Sequence, residues 1–142
     1  MEIPECFYRV SVKALILDDT KTKFLIIKNS DELGGMWELP GGGLDFGATP
    51  QEDLPREIKE EIGVETLWVS GSPSYFVTHK HPEKDFWMAI VMYEATVDSL
   101  DFTPSDECVA SRFVDASEAN KLNAIENVPA FAKMFDPKNH LK

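Results

Sequence analysis

The chain has 142 residues, of which 43% are hydrophobic and 27% charged, and its formal net charge is −11. This length predicts one domain over residues 1–142, large enough to bury about two thirds of its unfolded surface. The negative charge argues against DNA or RNA polymers as partners, because affinity for them comes largely from Lys and Arg on phosphates. No apolar run approaches the ~18 residues of a membrane-spanning helix, so we expect no membrane partner.

The first residues and the cysteines are typical of a cytoplasmic protein. Residues 1–5 have neither the basic region nor the apolar core of a secretory signal. Cys6 and Cys108 are the only cysteines, and their spacing fits neither a zinc site nor a disulfide framework. We therefore expect two reduced thiols.

Three strands are predicted in the first third of the chain. Residues 7–17 are rich in β-branched and apolar types, and they end at the turn signal of residues 18–21. A second strand is predicted at residues 24–28. Residues 37–39 predict a short third strand, which ends at Pro40 and a loop of three consecutive glycines.

A helix is predicted to follow the glycine loop and to end at Gly63. Thr49, Pro50 and Glu52 have the features of a helix start: a capping side chain, a proline at the first position and a glutamate three residues after the cap. Pro55 conflicts with that start, because a proline inside a helix removes a backbone hydrogen bond and clashes with the previous turn. Either the helix kinks at Pro55, or a short turn leads into a main helix that begins there. We favour the second.

The rest of the chain alternates strands, a polar loop and helices. Residues 86–97 predict a central strand, because residues 86–93 are almost unbroken in apolar types. The other predicted segments are a strand at 67–69 that could continue to Val77, a polar loop at 79–85, a strand at 111–114, a short helix at 117–122 and an amphipathic helix at 128–135. Helices on both sides of a sheet predict an α/β (α+β) fold.

Three carboxylates on the predicted helix form the most informative pattern of the sequence. Glu57, Glu60 and Glu61 stand at positions i, i+3 and i+4, so a helix places them on one face, roughly 5–6 Å apart. Like charges at this spacing repel, and a hard divalent cation with oxygen ligands would offset the repulsion. Gly42 lies fourteen residues before Arg56, close enough for the loop backbone to share a site with the helix.

This pattern resembles the Nudix box of the Nudix hydrolases, a family that includes the MutT-like enzymes. The matching residues are Gly42, Arg56, Glu57, Glu60, Glu61, Gly63 and Val64, preceded by residues 36–41 as the usual lead-in. The resemblance implies an α/β/α sandwich with a mixed central sheet. It also implies hydrolysis of a nucleoside diphosphate linked to another group, with Mg²⁺ or Mn²⁺ as cofactor.

The resemblance further implies roles for individual residues. Glu57, Glu60 and Glu61 would ligate the metal, with the backbone carbonyl of Gly42 as an additional ligand. Arg56 would pair with carboxylates and hold the loop against the helix. Either Glu57 or Glu107, which precedes the last strand, would take the proton of the attacking water. Glu107 also fits a plain surface turn of residues 104–107.

One position departs from the family pattern. The Nudix box carries a glutamate six residues after its first glycine, where this chain has Ala48. That glutamate is the usual partner of the box arginine. Asp45, Glu52 or Asp53 could replace it, and we expect the supporting contacts of the metal ligands to be weaker.

The sequence predicts the substrate-binding residues less clearly than the metal ligands. Arg9 is a candidate phosphate partner, Trp37 a candidate stacking partner for a base, and Asn127 a candidate base-reading residue. Asn127, followed by Val128 and Pro129, also fits a helix cap, and we favour that interpretation. We expect a small nucleotide as substrate, either a nucleoside triphosphate or a nucleotide sugar or dinucleotide. A nucleotide-binding module without catalysis and a homodimeric assembly stay open.

Overall fold

A computed structural model describes residues 1, 2, 5 and 7–141, and these form eight strands and three α-helices. The strands are β1 (Tyr8–Leu15), β2 (Phe24–Asn29), β3 (Trp37–Glu38), β4 (Gly41–Gly43), β5 (Thr66–Val69), β6 (Tyr75–Lys80), β7 (Trp87–Val97) and β8 (Cys108–Val114). The helices are α1 (Pro50–Ile62), α2 (Ala116–Ala119) and α3 (Asn127–Ala132). The thiol predicted at Cys6 lies outside the described residues.

The strands form one mixed sheet and one antiparallel sheet. In the mixed sheet, β4 pairs with β1, and β1 runs parallel to β7. The other edge of β7 pairs antiparallel with both β5 and β6. The second sheet has the order β3-β2-β8 with antiparallel pairs throughout. The predicted mixed pairing is therefore confirmed, with the strands divided between two sheets.

Helices cover both faces of the strands, because β1 and β2 send apolar side chains to both sides. Val12 and Ala14 of β1 belong to a core cluster with α1, whereas Leu15 belongs to a second cluster with α3. Phe24 of β2 packs edge to face on Phe131 of α3, with ring centroids 4.9 Å apart. The predicted α/β/α layering is confirmed.

Helix α1 begins at Pro50, so the favoured start at Pro55 was wrong. Thr49 caps the helix by accepting a hydrogen bond from the Glu52 N–H at 3.3 Å, and Pro50 occupies the first helical position. These features fix the first turn. Pro55 lies inside a helix that continues to Ile62 and ends at Gly63, whose φ is 73°. Local capping and burial of the flanking residues outweigh the roughly 3 kcal/mol that an interior proline costs.

Several other predicted boundaries shift. Strand β1 ends at Leu15, and Leu17 forms only an isolated bridge with Phe24. Strand β5 does not continue to Val77, because residues 70–74 turn the chain and β6 is a separate strand. His79 and Lys80, predicted as loop, belong to β6, where pairing with β7 overrides their polar character. Strand β8 begins at Cys108, three residues earlier than predicted.

Candidate active site

Helix α1 presents a partly buried stripe of carboxylates beside its apolar face. The apolar residues Leu54, Ile58 and Ile62 recur every four positions and are at most 3% exposed. Each is preceded by an acidic residue, so a second stripe at the same spacing contains Asp53, Glu57 and Glu61. This stripe borders the core where α1 packs against the glycine strand β4.

Gly42 is a glycine because Glu57 occupies the space of its missing side chain. A Cβ atom built on Gly42 would lie 2.9 Å from the Glu57 carboxyl carbon and 3.0 Å from both carboxyl oxygens. The Glu57 side chain is 21% exposed. Burial raises the pKa of Glu57 above its usual value, and the neighbouring Arg56 guanidinium opposes that shift. The helix carboxylate and the loop backbone thus meet, as the sequence spacing predicts.

Glu61 is anchored to the same strand one residue earlier. Its Oε1 accepts a hydrogen bond from the Gly41 N–H at 2.8 Å, and the residue is 9% exposed. Burial raises the pKa of Glu61 to about 8, against opposing effects of the Lys13 charge and the Gly41 hydrogen bond. An ionised carboxylate is costly in such a place unless a positive charge accompanies it.

Arg56 holds four carboxylates at once. Its NH2 group lies 3.2 Å from Glu57 Oε1, 3.1 Å from Asp45 Oδ2 and 3.5 Å from Asp53 Oδ1. Its NH1 group lies 3.2 Å from Glu60 Oε1. Two of these partners are candidate metal ligands and two are not. Of the three carboxylates that could replace the absent glutamate, Asp45 and Asp53 thus contact Arg56, whereas Glu52 accepts a hydrogen bond from the Thr49 hydroxyl at 2.8 Å.

Lys13 is a buried cation in the midst of these carboxylates. It is 6% exposed, and its Nζ donates a hydrogen bond to the Gly41 carbonyl at 3.0 Å. Its positive charge lowers the pKa values of Glu57 and Glu61 against the effect of burial. It does the same for Glu38 of β3, whose pKa is raised chiefly by burial.

A family model, described as the NUDIX domain, matches residues 7–135 of this chain. The chain belongs to the Nudix family. Among curated relatives, it is 36% identical over 80 residues to the RNA pyrophosphohydrolase of a Nitratiruptor species, covering 54% of this chain and 51% of that protein. It is 32% identical over 80 residues to the RNA pyrophosphohydrolase of Campylobacter jejuni subsp. jejuni serotype O:23/36 (strain 81-176), with the same coverage. The alignment spans about half the length of these relatives.

Solved Nudix structures have the same fold. The MutT protein from Methanosarcina mazei Go1 aligns with a TM-score of 0.77 at 23% identity, covering 98% of this chain and 100% of that one. An ADP-ribose pyrophosphatase from Streptococcus suis 89-1591 aligns with a TM-score of 0.58 at 22% identity, covering 89% and 86%. At these identities the likeness establishes the fold.

The Nudix-box carboxylates have the chemistry of a site for a hard cation. They offer oxygen atoms, the ligands that Mg²⁺ prefers, and a further positive charge beside the buried Glu61 would favour its ionised form. Over residues 7–141, no three His, Cys, Asp or Glu side chains converge tightly enough to hold an ion. The reason is visible in the contacts. Glu57 and Glu60 pair with Arg56, and Glu61 accepts a hydrogen bond from the Gly41 N–H.

Glu107 lies outside this group of contacts. The residue is exposed, and its backbone carbonyl accepts a hydrogen bond from the Ser30 N–H at 3.2 Å. The next residue, Cys108, is 1% exposed. Burial raises the pKa of the Cys108 thiol to about 11, and the nearby Glu61 charge adds to the shift. Cys108 at the start of β8 therefore lies near Glu61 of α1, whereas Glu107 forms its hydrogen bonds with Ser30 and Ser105 through its backbone.

Among the predicted substrate-binding residues, Arg9 lies against the glycine strand, whereas Trp37 belongs to β3 of the other sheet. The Arg9 guanidinium lies over Gly43, where a Cβ atom would collide with it, and its NH1 donates to the Leu44 carbonyl at 3.0 Å. Trp37 is half-buried, with the Arg112 guanidinium carbon 6.0 Å from its ring centroid.

Asn127 is buried and faces the lead-in to the Nudix box. It is 6% exposed, and its Oδ1 accepts a hydrogen bond from the Leu39 N–H at 3.4 Å. The favoured interpretation of Asn127 as a helix cap was wrong: Glu126 occupies the capping position of α3, without a side-chain capping bond. The Asn127 side chain therefore contacts Leu39, 88 positions earlier in the chain, instead of capping the helix.

In the metal-free protein, we expect the free energy of unfolding to fall as the pH rises from about 4.5 to about 8. The folded-state pKa of Glu61 is raised from 4.5 to about 8, so folding favours its protonated form. This stabilisation has its full size below pH 4.5, shrinks as the pH rises and is gone above about 8. Its full size is about 1.4 kcal/mol for each unit by which the pKa in the folded protein exceeds that in the unfolded chain. Urea unfolding in chelator at pH 5 and pH 8.5 measures it. Glu61→Gln should flatten the pH dependence, and an equal slope in both proteins would contradict this origin.

Proposed function

We propose that this protein is a divalent-metal-dependent pyrophosphohydrolase that cleaves the phosphoanhydride of a nucleoside diphosphate linked to another group. The observation that carries the proposal is the meeting of Glu57 with Gly42, which brings a helix carboxylate against the glycine backbone. Glu61 on Gly41 and Glu60 on Arg56 complete the acidic set around it.

The proposed roles follow from the chemistry of phosphoanhydride hydrolysis. Glu57, Glu60, Glu61 and the Gly42 carbonyl would hold Mg²⁺, or Mn²⁺ in its place. When bound, such an ion neutralises the phosphate oxygens and lowers the pKa of a water molecule. Water oxygen then forms a bond to phosphorus, and the bond from phosphorus to the bridging oxygen breaks. Glu57 or Glu107 would accept the water proton, and Arg56 would orient the carboxylates.

A small nucleotide is the substrate class that the charge of the chain favours. With a net charge of −11, the protein offers little attraction to a long polyanion, whereas a bound cation can recruit a single phosphate chain. Arg9, over Gly43, is proposed to contact a phosphate. Trp37 and Asn127, on the lead-in to the glycine strand, are proposed to bind the nucleoside. We place this activity in the cytoplasm, where nucleotides and Mg²⁺ occur together.

The 5′ end of an RNA is a second candidate substrate. It is favoured by the relatives from Nitratiruptor and Campylobacter, which carry the name RNA pyrophosphohydrolase. A 5′-triphosphate contains the same phosphoanhydride as a free nucleotide, so the same carboxylates would serve. Only the contacts beyond the first nucleotide would differ, and these are the contacts that a strongly acidic protein makes poorly.

A substrate panel distinguishes these alternatives. We expect turnover in Mg²⁺, with release of a nucleoside monophosphate, for at least one member among nucleoside triphosphates, nucleotide sugars, dinucleotides and a 5′-triphosphorylated RNA oligonucleotide. A higher kcat/KM for the oligonucleotide than for the matching triphosphate would favour the RNA end. Measurable nucleotide binding without turnover across the whole panel would contradict the enzyme and indicate a non-catalytic module.

A further inference from the structure

The loop between β4 and α1 lacks the glutamate of the Nudix box, yet it is firmly attached to the helix. Ala48 occupies the position of that glutamate and has no charge with which to meet Arg56. The attachment comes from Asp53 on the first turns of α1. Its Oδ2 accepts a hydrogen bond from the Asp45 N–H at 3.0 Å, and its Oδ1 lies 3.5 Å from Arg56 NH2.

Burial distinguishes Asp53 from an ordinary acidic residue at a helix start. The residue is 6% exposed, whereas Glu52 beside it is exposed, and its side chain accepts a hydrogen bond from the cap residue Thr49. A negative charge near a helix N-terminus is already favourable at the surface, by about 0.3–1 kcal/mol, so the helix end alone does not explain why Asp53 is buried. A buried carboxylate costs several kcal/mol unless its oxygens are paired. Both oxygens of Asp53 are paired, one with the loop backbone and one with Arg56.

Asp53 and Asp45 also divide the charge of Arg56. The guanidinium touches two candidate metal ligands, Glu57 and Glu60, and two carboxylates outside that set. Without the second pair, Arg56 would pair more strongly with the ligands and compete with a cation for them. Asp45 and Asp53 therefore weaken the attraction of Arg56 for Glu57 and Glu60, which makes it easier for these two carboxylates to turn towards a metal.

We propose that Asp53 is a positioning residue which, together with Asp45, takes over the role of the Nudix-box glutamate absent at position 48. Asp53 acts from the helix side. It holds the loop by accepting a hydrogen bond from the Asp45 N–H, and it holds Arg56 by pairing with the guanidinium. The proposal rests on the proposed function in that the positioned residues are taken as metal ligands. The contacts of Asp53 themselves do not depend on that function.

Moving the carboxylate provides the test. Asp53→Ala is expected to weaken Mn²⁺ binding about tenfold, as the loss of a residue that orients metal ligands typically does. The double variant Ala48→Glu with Asp53→Ala restores a partner for Arg56 from the loop side and is expected to recover most of that affinity. Isothermal titration of the full chain with Mn²⁺, without nucleotide, measures both.

Glu52→Ala is the matched control, because it removes the same charge from the same helical turn. We expect its Mn²⁺ affinity to stay within about twofold of wild type. An equal loss in Glu52→Ala and Asp53→Ala would overturn the proposal in favour of a general charge effect. Failure of the double variant to recover affinity would overturn the replacement of the box glutamate.

Amide hydrogen exchange of Asp45 gives a readout that needs neither metal nor turnover. Asp53→Asn keeps an oxygen for the Asp45 N–H and is expected to keep its protection, whereas Asp53→Ala is expected to lose it. Unchanged protection in Asp53→Ala would overturn the positioning role, and Asp53→Asn serves as the folded reference for the exchange rates. A wild-type chain that binds no Mn²⁺ would overturn the proposed function, while the exchange measurement would still decide whether Asp53 fixes the loop.

Discussion

Glu57→Gln is expected to lower pyrophosphohydrolase activity by about a thousandfold or more and to leave the fold intact. Glutamine keeps the shape that fits against Gly42 but removes the charge of a proposed metal ligand. A metal acting on a phosphate contributes several kcal/mol to the transition state, and each 1.4 kcal/mol is worth about tenfold in rate. Steady-state kinetics on the best substrate of the panel, with thermal unfolding as a check on the fold, measure the effect.

Glu65→Gln is the control for Glu57→Gln. Glu65 forms an exposed ion pair with Lys59, with Nζ and Oε1 2.6 Å apart, and contacts none of the proposed ligands. We expect its activity to be close to that of wild type, because exposed pairs contribute little. Full activity in Glu57→Gln would mean that the reaction takes place elsewhere in the protein.

At pH 9, where Glu61 is ionised, Lys13→Met is expected to lower the free energy of unfolding of the metal-free protein by about 3–5 kcal/mol, the usual loss when one partner of a buried charge group is removed. The change leaves the Gly41 carbonyl without its donor and leaves Glu38, Glu57 and Glu61 without their buried cation. Saturating Mg²⁺ should restore part of the stability, because the ion then supplies positive charge to the same carboxylates. Urea unfolding with chelator and with Mg²⁺ measures both quantities.

Lys59→Met makes the matched comparison for Lys13→Met. It replaces a lysine whose side chain is 55% exposed, and we expect a loss below about 1 kcal/mol with no dependence on Mg²⁺. If Lys13→Met is no less stable than Lys59→Met, Lys13 does not balance the buried carboxylates.

The sequence predicted the parts of the site that follow from local spacing. The stripe of glutamates and the position of Gly42 depend on helical periodicity and on a short loop, and the structure brings Glu57 to Gly42 as expected. The helix end at Gly63 was likewise readable, because a glycine with positive φ ends helices in this way. The start of α1 could not be predicted in this way. The preference of proline for a first helical position favoured Pro55, whereas the packing of Leu54 and Ile58 extends the helix back to Pro50.

The features of the site that could not be predicted from the sequence depend on contacts between residues far apart in the chain. Lys13 sits in a strand whose pattern does not reveal that its side chain turns back to Gly41, 28 residues away. Asp53 was one of three acidic residues that could serve Arg56, and only its burial against the loop singles it out, together with Asp45. Asn127 carried a plausible local role, which contact with Leu39 replaced. In each case the signal was the tertiary partner, which one sequence does not contain.

The parallel pairing of β1 with β7 determines when the glycine strand can be held in place. Tyr8 lies opposite Trp87 in this pair, so the sheet closes only after most of the chain is available. Before then, β1 can pair with β4 alone, since β4 is the other neighbour of β1 in the sheet. Pairings between distant segments are slow to form, because the loop between them must be closed first. During synthesis, the acidic helix therefore emerges before β7, and the mixed sheet is completed only after the proposed ligands are already part of the chain.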